Sequence, residues 1–158
     1  MSISIASDKK ELIVGTSGGK LYRTLIGDLS FMLHTDAHTG SINDLVFGNR
    51  SDQFLAIDEN GAVKLWDLSE YKSVFTVLPL KNSRGSSCCI AKDDNSMITG
   101  WRDGFIRSYD TSGRVLWEIA NAHRGSVTSL YCDANYILSG GEDGAVRVWA
   151  RTTRKLLI

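Results

Sequence analysis

Apolar and polar residues along this chain alternate in short bursts that never reach helical length. Ala145-Val146-Arg147-Val148-Trp149 has period two, and Gly or Asp-Asn-Ser clusters interrupt the pattern every eight to twelve residues. The expectation is an all-β chain with essentially no helix. The bursts also repeat. Gly19, Gly61, Gly104 and Gly144 recur at near-constant spacing, each preceded by an apolar run (Leu12-Ile13-Val14, Phe54-Leu55-Ala56, Met97-Ile98-Thr99, Ile137-Leu138-Ser139) and followed by an alternating one. The turn pairs Gly18-Gly19, Asn60-Gly61, Asp103-Gly104 and Asp143-Gly144 tolerate positive φ and predict four tight two-residue hairpins.

A further strand precedes each hairpin, near Ser2–Ser7, Ser41–Phe47, Ser86–Ala91 and Ser126–Cys132. Another follows it, near Ser30–Thr35, Ser73–Leu78, Val115–Ile119 and Lys155–Ile158. Each unit then has four antiparallel strands, with boundaries near 1–37, 38–82, 83–122 and 123–158. A repeat of about 40 to 45 residues is the period of β-propeller blades.

Composition narrows the function. Eighteen basic residues balance eighteen acidic ones, and arginines are scattered singly, so the polyanion-binding footprint of a nucleic-acid or membrane-surface protein is missing. No window approaches the length of a membrane span, and the opening residues read as neither leader nor anchor. Three cysteines, Cys88, Cys89 and Cys132, have neither disulfide-framework nor zinc spacing, which points to a reducing, cytoplasmic setting with no metal and no cofactor. Gly15-Thr16-Ser17-Gly18-Gly19-Lys20 lacks the ending and the following helix of a phosphate loop and reads as a hairpin.

The last unit, with His123, Ser139, Asp143 and Trp149 at corresponding places, resembles WD40 repeats, and the resemblance runs the length of the chain. It implies a buried tetrad in which the indole N–H bonds the hydroxyl, the hydroxyl bonds imidazole, and the carboxylate fixes the other ring nitrogen. Other units keep parts of it: His38, Asn60 and Trp66 in the second, with Ala56 in place of the hydroxyl; Thr99, Asp103 and Tyr109 in the third, with Ser83 near the histidine place; Val14, Gly18 and Thr24 in the first, where no member survives. A hydrolase reading of His123, Ser139 and Asp143 needs an exposed serine, whereas Ser139 falls mid-strand. The chain is therefore read as non-catalytic.

Residues 96–107 (Ser-Met-Ile-Thr-Gly-Trp-Arg-Asp-Gly-Phe-Ile-Arg), with Gly113-Arg114-Val115-Leu116 and Ile119 to Arg124, are similar to the ciliary and flagellar WD-repeat proteins inside axonemal doublet microtubules. That resemblance implies a structural scaffold whose partners are tubulin and axonemal proteins. An adaptor in another cytoplasmic or nuclear assembly is the alternative. Partners of propellers dock on hairpin and inter-blade loops, which puts Glu59, Arg84, Arg102, Arg124 and Glu142 on the candidate partner-binding face. Trp101 is either an anchor on that face or a packing residue of the neighbouring blade. Four blades close a ring only at about 90° per blade, against roughly 51° in a seven-bladed ring. The expectation is an open arc of a larger, seven- or eight-bladed ring. Its apolar ends, around Ile3 and Ile5 and around Val146, Val148 and Leu157, would meet further blades of a parent protein or a second copy.

Overall fold

The computed structural model describes all residues except 1, 29, 37, 49–51, 71, 79–84 and 91–95. The side chains of 34–36 and 85–90, those of His34, Cys88 and Cys89 among them, also lie outside the described set, and Ser83 and Arg84 lie outside it entirely.

Fifteen strands form four antiparallel sheets, and no helix occurs among the described residues. Blade 1 is β1(Ser2–Ile5), β2(Glu11–Gly15), β3(Lys20–Leu25) and β4(Phe31–Asp36). Blade 2 is β5(Ile42–Phe47), β6(Gln53–Asp58), β7(Val63–Asp67) and β8(Lys72–Val77). Blade 3 is β9(Gly85–Ile90), β10(Ser96–Trp101), β11(Ile106–Asp110) and β12(Val115–Ile119). Blade 4 is β13(Val127–Cys132), β14(Tyr136–Gly141) and β15(Val146–Ala150). Each strand pairs with its chain neighbour, so each blade is a simple meander. The expected fourth strand of blade 4 is reduced to an isolated bridge between Leu156 and Trp149, flanked by Ala150 N–H donating to Lys155 O (2.9 Å) and Leu157 N–H donating to Val148 O (2.8 Å).

The hairpins differ from the two-residue expectation. Gly19, Gly61, Gly104 and Gly144 donate back three residues, to Thr16, Asp58, Trp101 and Gly141, while those same four residues donate to Lys20, Ala62, Phe105 and Ala145. Each loop therefore has three residues, a turn followed by one glycine at positive φ, between 72° and 87°. A two-residue loop of the expected type would need positive φ at two positions, and only the glycine adopts it here. Two of these glycines are also fixed by contact. A Cβ on Gly19 would lie 2.1 Å from His38 O, and one on Gly104 would lie 2.2 Å from His123 O. Their carbonyls in turn receive the backbone N–H groups of His38 and His123, both at 3.1 Å. Each of these two glycines thus carries the first residue of the next blade, joining local turn chemistry to blade order.

Alternating burial splits the apolar side chains between the two faces of each blade, so the described core residues fall into three clusters, one at each junction. Ile13 and Leu21 of blade 1 meet Ile42, Leu45, Phe47, Phe54 and Trp66 of blade 2. Leu55, Ile57, Val63 and Leu65 on the opposite face of blade 2 meet Met97, Trp101 and Tyr109. Ile98, Ile106 and Ile119 then meet Val127, Ile137 and Trp149, with Trp117 packed at the rim of that cluster near the Arg154 guanidinium.

The buried polar clusters and the hairpin face

Blade 4 assembles the expected tetrad. Trp149 Nε1–H donates to Ser139 Oγ (2.9 Å), and that oxygen lies 2.8 Å from His123 Nε2. His123 Nδ1 lies 2.8 Å from Asp143 Oδ1. One proton arrangement satisfies all four groups: indole to hydroxyl, hydroxyl to Nε2, Nδ1–H to carboxylate. Asp143 Oδ2 also accepts from Arg124 N–H (3.0 Å) and Arg147 Nη1 (2.9 Å). The bond from His123, helped by those from Arg124, Arg147 and Ala145, outweighs desolvation and holds the Asp143 carboxyl far below its ordinary range. Ser139 is 1% exposed and its hydroxyl is engaged on both sides, so it lacks the accessibility of a nucleophile.

Blade 2 holds its histidine by another route, and here the assignment made from the sequence needs correction. His38 Nδ1 is held at 3.0 Å by Asp58 Oδ2, not by Asn60. The Asn60 side chain instead donates to Thr39 Oγ1 (3.4 Å), on the surface. The reason is visible in blade 4, where a Cβ added to Gly141 would lie 2.2 Å from His123 Nδ1. Asp58 occupies the place of Gly141, three residues before the hairpin glycine, so its side chain projects straight into the histidine site. Burial pushes the Asp58 carboxyl up, but bonds from His38 and the N–H groups of Ala62 and Asn60 prevail and leave it below its ordinary value. Trp66 is buried beside them. Ala56, however, supplies no hydroxyl between indole and imidazole, and His38 Nε2 is buried with no hydrogen-bond partner among the described residues.

A buried acceptor left unmade is costly. Ala56→Ser is accordingly expected to stabilise the protein, by about 1 kcal/mol, through a hydroxyl placed as Ser139 Oγ is in blade 4. Urea denaturation of the variant beside the parent chain measures the change. An unchanged or lower midpoint would mean that Nε2 gains nothing from the new hydroxyl.

Blade 3 fills the same position with Trp101. The indole is fully buried in the junction with blade 2, and its Nε1–H donates to Thr99 Oγ1 (2.7 Å). It thus serves the hydroxyl that histidine and tryptophan share in blade 4. Asp103, where Asp143 stands in blade 4, receives Arg107 Nη2 (2.8 Å), and the Arg107 guanidinium lies over the rings of Trp101 and Phe105 at 5.2 and 4.6 Å. Tyr109 replaces the blade tryptophan, and burial pushes its hydroxyl up to about 12. Of the two roles open to Trp101, the structure supports packing: the side chain has no surface to present to a partner.

The hairpin face gathers Glu59, Arg102, Arg124 and Glu142, all exposed. Their freedom is unequal. Glu59 accepts from Ser41 N–H and Glu142 from Ser126 N–H, both at 3.1 Å, so each carboxylate clamps the inter-blade loop. The Ser126 bond also lowers the Glu142 carboxyl, aided by the Arg102 charge. Arg102 and Glu142 line a polar recess of about 450 Å³ together with Asn43, Ser126 and Thr128. Sequence reasoning missed the clamp, although its signal, an acidic residue two places before the hairpin glycine in blades 2 and 4, lies in the repeat.

The model of the "WD domain, G-beta repeat" family matches residues 29–67 and 114–150. The chain carries WD40 repeats. Among curated relatives, cilia- and flagella-associated protein 52 of Sus scrofa is 31% identical over 161 residues, covering 98% of this chain and 26% of the relative. The protein of that name from Chlamydomonas reinhardtii is 32% identical over 118 residues, covering 74% of this chain and 19% of the relative. The chain therefore spans about a quarter or less of the relatives it matches. Two solved designed proteins share the fold. Ika4 superposes with a TM-score of 0.78 at 23% identity over 94% of this chain and 89% of its own. Ika8 does so with a TM-score of 0.76 at 24% identity over 93% of this chain and 45% of its own.

Proposed function

We propose that this WD40 chain is a non-catalytic scaffold of the ciliary or flagellar axoneme, holding neighbouring proteins through its hairpin face. The observation that carries the reading is the match along 98% of the chain to a relative named for cilia and flagella. The chemistry supports it. The His, Ser and Asp side chains that would serve catalysis are consumed in junction bonds. The groups left toward solvent are fixed charges of both signs around a shallow polar recess, which suits pairing with a defined protein surface better than attraction to a uniform polyanion. Tubulin and the inner proteins of the doublet are the partners this reading implies, and the rigid blade stack is the means of bridging them.

The test is immunoprecipitation from ciliated cells followed by mass spectrometry, beside fractionation of purified axonemes. Retention in the axoneme with tubulin and doublet proteins is the expected outcome. Recovery in a nuclear or other cytoplasmic complex, with none in axonemes, would replace it with the adaptor reading. Arg102→Glu and Arg124→Glu, on the exposed face, then separate hairpin-face binding from binding elsewhere.

A further inference from the structure

One position of the repeat changes the sign of its charge in blade 3. Two residues before the hairpin glycine stand Glu59 in blade 2 and Glu142 in blade 4, and each accepts a backbone N–H of its own inter-blade loop. Blade 3 has Arg102 there. A guanidinium only donates, so it cannot take an N–H and has no part in such a clamp. Arg102 is exposed and makes no hydrogen bond or ion pair with the described residues, although its charge acts on Glu142 through space.

The walls beside it come from the two neighbouring blades. Asn43 of β5 and Thr128 of β13 are the extra residues of bulges at one and the same repeat position, the first between the pairs Ile42–Asp58 and Asp44–Ile57, the second between Val127–Gly141 and Ser129–Gly140. A bulged residue leaves the ladder and re-aims its side chain. Both side chains line the recess of about 450 Å³ that Arg102 shares with Ser126 and Glu142. This lining belongs to the inner strands and hairpins of blades 2, 3 and 4, and takes nothing from the surfaces at the two ends of the arc.

The lining selects its occupant. Among the described residues it is wholly polar, an amide, a guanidinium, two hydroxyls and a carboxylate, which suits a small apolar ligand poorly. Its carboxylate is already engaged: Glu142 accepts the Ser126 N–H (3.1 Å) and the Ser126 hydroxyl, and these bonds hold it ionised below its ordinary range. Donors are in surplus, because the guanidinium fork of Arg102 carries five N–H groups. What completes the recess is therefore a negatively charged acceptor, and a planar carboxylate meets a guanidinium through two parallel bonds. One cation beside one fixed anion matches a single negative charge. A phosphate dianion, or a run of phosphates, would face Glu142 with too little positive charge to offset the repulsion.

We infer that Arg102 is the anchor of the hairpin face and receives a glutamate or aspartate carboxylate of a partner protein, with Asn43 and Thr128 bounding it on either side. The inference rests on the hairpin face being the binding face and names the chemistry that this face binds.

Proton–nitrogen NMR of the 158-residue chain tests it. The probe is the capped pentapeptide acetyl-Gly-Ser-Glu-Ser-Gly-amide, whose one charge is the glutamate carboxylate, beside the same peptide with glutamine or phosphoserine at its centre. The glutamate peptide is expected to shift Arg102 Nε–H and the Thr128 backbone N–H saturably at millimolar concentration, while Nε–H of Arg124, exposed on the same face, does not move. The glutamine peptide is expected to move none of them. In Arg102→Gln, which removes an exposed and unbonded side chain and leaves the fold intact, the Thr128 shift is expected to need about tenfold more peptide, the loss of a charged hydrogen bond. No shift at Arg102, equal shifts at Arg102 and Arg124, or an equal response to the glutamine peptide would each overturn the inference. Tighter binding of the phosphoserine peptide would overturn the assignment of a carboxylate. The two readings fail separately: absence from axonemes removes the ciliary assignment and leaves the titration standing, whereas a titration that spares Arg102 removes the carboxylate site and leaves the assignment standing.

Discussion

Trp101→Ala is expected to unfold much of the protein, with a loss of about 3 to 5 kcal/mol from the cavity left by a fully buried indole. Domains of this size have roughly 5 to 15 kcal/mol in total, so one substitution removes a large fraction. Trp101 joins Leu55, Ile57, Val63, Met97 and Tyr109 in one cluster, donates to Thr99 and underlies the Arg107 guanidinium. Packing, a hydrogen bond and a cation–π contact therefore fail together. Trp101→Phe retains most of the volume and loses the Nε1 bond, so it should cost less than half as much. Urea denaturation followed by circular dichroism measures both. The opposite result, an unchanged midpoint for Trp101→Ala with weakened partner binding, would return this residue to the interaction surface.

Ser139→Ala ranks next, at about 2 to 4 kcal/mol, because one oxygen serves two buried groups. Its removal orphans the indole N–H of Trp149 and Nε2 of His123 at once, in a junction where both residues are buried. Ser139→Thr keeps the oxygen and should recover part of the loss, whereas Asp143→Asn should act at the other end of the chain of bonds by weakening the hold on Nδ1. Blade 2 shows that the fold survives with alanine in this position. There Asp58 holds Nδ1 as Asp143 does in blade 4, and Nε2 goes without a partner among the described residues. A double-mutant cycle between Ser139→Ala and Trp149→Phe should show coupling well above experimental error; additivity would mean that the indole bond contributes nothing.

The sequence was most informative where a residue's role depends on its own neighbours in the chain. Strand order, the absence of helix among the described residues and the four hairpins follow from period-two burial and from glycines that adopt positive φ, both local properties. The blade 4 tetrad was legible for a related reason: all four members are present, and each supplies the group the next one needs. Loop length escaped because a dipeptide such as Asp143-Gly144 suits both two- and three-residue hairpins, and hydrogen bonding across the strand ends chooses between them.

Tertiary structure decided what fills the space beside the inter-blade histidine. The position three residues before the hairpin glycine holds Gly141, Asp58 or Trp101, and in the sequence alone nothing marks it as facing that site. Only the packed junction shows a glycine making room for an imidazole, an aspartate replacing the expected partner Asn60, and a tryptophan taking over the hydroxyl of Thr99. The same holds for the arc's ends. Val146 and Val63 are the same residue in the same repeat position, and one is exposed while the other is buried. The chain sets the chemistry of a blade face, but whether that face meets water or another blade is decided by what stands next to it in space.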